Sequence, residues 1–178
     1  MGVAPVEMTE VQKELDRIVD EDGDLTYVVK NPNVHPSTLY KLTNCQYDDI
    51  LHLISMNPRA DSKTLDKLTD MAINSDLNDG NWTMGFIAEH PNTSSKTLDK
   101  MVGFDNNMVK WNPNDPDVSD FRLLEKIASN PNASTSTLEK LSKYNNENES
   151  RQNAVRKMAL NTLKSKTFDL TKLSPELR

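Results

Sequence analysis

The chain has 178 residues, enough to bury a core within one domain, yet only 35% of them are hydrophobic. Five glycines argue against a turn-dense β fold or a glycine-lined phosphate loop, and one cysteine, Cys45, excludes an internal disulfide or a cysteine-based zinc site. The net charge of −6 is uneven: residues 1–142 carry 13 Lys and Arg against 23 Asp and Glu, while residues 143–178 carry 8 against 4, so the acidic body repels phosphate backbones and favours basic partners.

Residues 1–23 predict an N-terminal capping helix, centred on TEVQKELDRIVD at 9–20. Thr9 and Gln12 have capping-box spacing, and Val11, Leu15, Ile18 and Val19 form one apolar face. From 24 to 142 the chain repeats itself four times without internal gaps: VVKNPNVHPSTLYKL (28–42), ISMNPRADSKTLDKL (54–68), IAEHPNTSSKTLDKM (87–101) and IASNPNASTSTLEKL (127–141). Pro32, Pro58, Pro91 and Pro131 anchor the columns. Upstream stand Leu25, Leu51, Met84 and Leu124, then Val28, Ile54, Ile87 and Ile127. Downstream stand Leu39, Leu65, Leu98 and Leu138, then Leu42, Leu68, Met101 and Leu141.

This grid has a direct physical meaning. Apolar residues at three- and four-residue spacing make one stripe of a helix. Each first helix runs into Asn-Pro or His-Pro, where proline forces the preceding residue out of the α region. His35, Asp61, Ser94 and Ser134 then stand where an N-cap is needed, and Pro36 falls at a first helical position. A single helix–turn–helix unit cannot bury its own stripe, so neighbouring units must stack into an all-α solenoid.

The prolines are 26, 33 and 40 residues apart, which puts inserts near 70–82, 103–120 and 143–150. Residues 143–178 hold a fifth, degenerate and basic copy that caps the far end. Val155 and Met158 match the upstream columns, Asn161 stands in the Asn/His column, and Leu170 and Leu173 follow out of register. Five units of two helices predict about ten helices in all.

These NPN…TLxKL units resemble leucine-rich-repeat-variant and HEAT-like α-solenoid repeats over roughly residues 24–173. The unequal spacing and the missing proline of the last copy depart from the regular pattern. Similar arrays occur in bacterial and small bacteriophage proteins. The resemblance implies a short right-handed superhelix that binds macromolecules; its phage-like examples imply a host-takeover or anti-defence factor in the host-cell cytoplasm. No functional residue carries over, because the matching columns are structural.

Little in the chain suggests chemistry. His35 and His90 occupy cap and turn columns, and His52 follows Leu51 on the expected exposed side of a first helix. The acidic run Asp20, Glu21, Asp22 and Asp24 lacks the ligand spacing of a calcium loop. No metal-binding or nucleotide-binding motif is present, so neither a cofactor nor an enzymatic activity is expected. No apolar run approaches the roughly 18 residues of a bilayer span, and the opening residues lack a signal-peptide pattern. A cytoplasmic protein that does not enter membranes is the expectation.

Two surface features remain. Lys41, Lys67, Lys100 and Lys140 form a column, preceded by Tyr40, Asp66, Asp99 and Glu139. Stacking aligns them either as a charged binding track or as ladders that pair between neighbours. The long insert GFDNNMVKWNPNDPD (103–117) places Phe104, Met108, Val109 and Trp111 among polar residues, either as an interaction loop or as a plug between units three and four. The functional expectation is a non-enzymatic protein-binding module or inhibitor whose partner has a basic surface. The alternatives are nucleic-acid binding through Arg151, Arg156, Lys157, Lys164, Lys166 and Lys172, or a structural or assembly subunit.

Overall fold

The computed structural model describes residues 17, 25–45, 47–74, 80–108, 119–145 and 149–171. Among these residues the chain is all-helical, with no strand. The elements are α1 (Leu25–Lys30), α2 (Pro36–Leu42), α3 (Asp48–Met56), α4 (Ser62–Ile73), α5 (Gly80–Glu89), α6 (Ser95–Met108), α7 (Ser119–Ser129), α8 (Thr135–Ser142) and α9 (Glu149–Thr171). Residue 17 is helical; the rest of the expected helix at 9–20 lies outside the described residues.

The helix ends follow from the columns. Helices α1, α3, α5 and α7 stop immediately before Asn31, Asn57, His90 and Asn130, each of which precedes a proline. The second helices then start on side-chain caps. His35 accepts from the Ser37 N–H, Asp61 from Thr64, Ser94 from Thr97 and Ser134 from Thr137. Each cap satisfies a donor that the first turn leaves without an intrahelical partner.

Packing runs from hairpin to hairpin. Helix α1 packs on α3, α3 on α5 and α5 on α7, while α2 packs on α4 and α4 on α6. The apolar columns lie at these contacts: Leu39, Leu65, Leu98 and Leu138 are fully buried, as are Val28, Ile54, Ile87 and Ile127. A further column escapes the apolar grid. Two residues after each proline stand Val34, Ala60, Thr93 and Ala133, all fully buried, where the link between the two helices leaves little room for a side chain.

Two expectations need correction. The inserts near 70–82 and 103–120 are partly helix, since α4 continues to Ile73, α5 begins at Gly80, α6 continues to Met108 and α7 begins at Ser119. No proline interrupts residues 101–108, and the single Gly103 weakens a helix without ending it. The fifth copy is also not a helix–turn–helix: α9 runs unbroken past Asn161, with Leu170 inside it and Leu173 outside the described residues. Thr162 stands in the proline column there, so the signal that stops the other first helices is missing. Nine helices are described, and the helical residue 17 lies outside all of them. Helix α9 packs along both α7 and α8, and Val155 and Ala159 are fully buried.

Candidate interaction surface

The turns use up most of the polar groups that the repeat places in columns. Asn57 donates Nδ2 to the carbonyls of Val29 and Asn31 in the preceding unit, while its Oδ1 accepts from the Arg59 N–H. Asn130 does the same with Ala88, His90 and Asn132. His90 takes this position in the third unit: Nδ1 accepts from the Asn92 N–H at 3.1 Å, so Nε2 carries the proton that it donates to the Asn57 carbonyl at 3.0 Å. The Asn92 and Asn132 amides add bonds to the preceding link, at Ala60 and Thr93. In the proline-free fifth copy, Thr162 Oγ1 donates to the Ala128 carbonyl at 2.7 Å, one residue along from the column that Asn57, His90 and Asn130 occupy. Asn31, Asn57, His90 and Asn130 are thus a structural set, as is the N-cap His35.

The second-helix columns are likewise engaged with one another. Lys100 Nζ lies 2.9 Å from Asp66 and 2.7 Å from Asp70, and Thr97 donates to Asp66 at 3.1 Å. Burial alone would raise the Asp66 carboxyl, but the Lys100 ammonium, Thr97 and Lys96 outweigh it and hold its pKa below the ordinary 3.8. Burial likewise opposes charge on Lys100, and Asp70 and Asp66 overcome it, raising its pKa above 10.5. Asp99 accepts from Ser134 at 3.0 Å and from Thr137. Tyr40 replaces the acid in the first unit; the Lys63 and Lys67 ammoniums lie 4.1 and 5.2 Å from its ring centroid, and Lys67 also donates to Asn44 at 2.6 Å. Lys41 and Lys140 continue the column at exposed positions.

The other candidates separate. Phe104 and Met108 belong to α6 in backbone, whereas their side chains, and Val109 and Trp111 altogether, lie outside the described residues. In α9, Arg156 is half-buried and donates Nε to the Tyr144 carbonyl at 2.6 Å, a bond that fixes the helix to the end of α8. Lys157 and Lys164 are exposed and Lys166 is half-buried; the Arg151 side chain and Lys172 lie outside the described residues.

The exposed side of the first helices carries a surface that the apolar grid passes over. Five residues before the proline stand Tyr27, Leu53 and Phe86, with Met56 one turn beyond Leu53. His52 meets the Phe86 ring edge-on at 4.9 Å, joining α3 to α5 on this side. The Lys126 ammonium lies 5.3 Å from the Phe86 centroid and 3.3 Å from Glu89, joining α5 to α7. Beside it a cleft of about 710 Å³ opens, lined by Glu89, Glu125, Lys126, Ser129, Pro131 and Met158 among others. The signal is in the alignment of the four units, as a column that is aromatic or aliphatic in the first three and Lys126 in the fourth.

Among the described residues, no group of three or more His, Cys, Asp or Glu is arranged to hold a metal ion, and no helix is long and apolar enough to cross a membrane. No family model, curated protein or solved structure matches the chain.

Proposed function

We propose that the chain is a non-enzymatic protein-binding module, a short right-handed α-solenoid closed at its far end by α9, that presents its surface to a partner with basic character. The observation that carries this reading is how the side chains divide. The repeated Leu, Asn, Thr and cap columns pack one unit against the next, and a row that crosses three units carries Met56 at 49% and Tyr27 at 63% exposure. Large apolar side chains lined up on a packed scaffold gain burial on association. The excess of 23 acids over 13 bases in residues 1–142 selects basic partners and opposes phosphate backbones.

The test is reconstitution. Proteins captured on the tagged full chain are purified singly and remixed with it at physiological salt. A binary complex of defined stoichiometry supports the reading. If random duplex DNA binds the full chain at submicromolar concentration, with a steep loss on added salt, the reading fails in favour of nucleic acid.

A further inference from the structure

The exposed side of the first helices changes chemistry along the units, and the change indicates what it fits. Five residues before the proline, α1, α3 and α5 carry the exposed Tyr27 and the half-buried Leu53 and Phe86, with the exposed Met56 beside Leu53 and the exposed Lys30 at the far end, on α1. At the corresponding position of α7 stands Lys126, in contact with both the Phe86 ring and the Glu89 carboxylate. The apolar row therefore runs directly into the cleft of about 710 Å³ that holds Glu89 and Glu125. Two carboxylates against one ammonium, already paired with Glu89 at 3.3 Å, leave the cleft negative. Met158 and Pro131 offer its wall as apolar surface for the stem of a long side chain.

Resting on the protein-binding reading above, we infer that Tyr27, Leu53, Met56 and Phe86, together with the Glu89–Glu125 cleft, form a docking face for a partner segment of apolar side chains followed at one end by Lys or Arg. The apolar row supplies burial, and the basic end seats in the cleft, its alkyl stem on Met158 and its charge towards the carboxylates. Charge also sets direction. A segment laid the other way leaves its cation over apolar surface and the carboxylates uncompensated. A phosphate backbone on this face meets two carboxylates, which disfavours it.

The test uses short random peptides displayed on messenger RNA, selected on the full chain at physiological salt and then synthesised. Recovered sequences should combine an apolar stretch with Lys or Arg at one end. Met56→Glu should weaken their binding roughly tenfold or more, Met56→Ser by less, and Glu125→Lys should shift preference towards an acidic end. Circular dichroism checks that each variant is folded, and Lys140→Glu, on the second helices, should leave binding unchanged. The inference is overturned if no peptide is enriched, if enriched peptides lack the basic end, if Met56→Glu has no effect, or if sedimentation shows this face occupied by a second copy of the chain. Loss of binding in Lys140→Glu with Met56→Glu silent would move the site to the second helices and leave the protein-binding reading standing.

Discussion

At the scale of single residues, His90 shows how far one side chain can substitute for another when the geometry of donors and acceptors is kept. It is buried, and it accepts from its own turn while donating to the turn before, as the asparagines of the neighbouring units do. His90→Asn should therefore keep most of the stability, whereas His90→Ala leaves the Asn57 carbonyl and the Asn92 N–H without partners and should cost roughly 1–3 kcal/mol. Equal losses in the two variants, measured by urea denaturation, would show that the paired hydrogen bonds are not what the position supplies. The Asp66–Lys100 contact makes a separate statement about pH. With the folded pKa of Asp66 depressed, its contribution is complete above 3.8 and fades as pH falls through the folded value. With the folded pKa of Lys100 raised, its contribution is complete below 10.5 and fades as pH rises through the folded value. The side chains are 27% and 33% exposed, so screening limits the contribution to about 1 kcal/mol or less. Lys100→Met should cost that much at neutral pH, and the gap to the unmutated chain should narrow as pH drops below 3.8. A gap that is constant with pH would remove the ion pair from the account.

At the scale of elements, the outcome depends on whether a stop signal is present. Pro32, Pro58, Pro91 and Pro131 each end a helix one residue early, while Thr162, in the same column, lets α9 run through. Thr162→Pro should break α9 near Asn161 and remove the Thr162–Ala128 bond, at a cost of roughly 3 kcal/mol or more; an unchanged melting temperature would contradict the assignment. Gly103 tests the extension of α6. A Cβ there meets nothing within 4 Å, so Gly103→Ala should stabilise the chain by about 0.5–1 kcal/mol through helix propensity. A loss of stability would instead mean that α6 ends sooner. These cases also mark what was legible in the sequence. Helix starts and stops were readable because proline, Asp and Ser act locally, within one turn of where they stand. The inserts were misjudged because unequal spacing says that residues have been added, and says nothing of whether they stay helical. The row Tyr27, Leu53 and Phe86 lies beside the buried stripe, where the three- and four-residue spacing of the stripe does not reach. The reach of Asn57 to Val29 depends on how units meet, a distance relation that no local pattern specifies.

At the scale of the whole molecule, the units hold one another. Leu65 and Leu98 are fully buried, and each truncation to Ala should cost roughly 2–4 kcal/mol. The exposed Lys140→Ala should be nearly silent. The chain's cohesion lies in contacts between successive hairpins, polar at the turns and apolar along the helices. The turns are bonded from unit to unit through the side chains that precede the prolines, Asn57, His90 and Asn130. Solution NMR tests this bonding directly, by the hydrogen exchange of the Asn57 and Asn130 side-chain amides and by couplings across their hydrogen bonds. Slow exchange, with couplings from Asn57 to the Val29 carbonyl and from Asn130 to the Ala88 carbonyl, is the predicted result. Exchange of both amides as fast as that of the exposed Asn33 side chain, with neither coupling detectable in a folded sample, would contradict it.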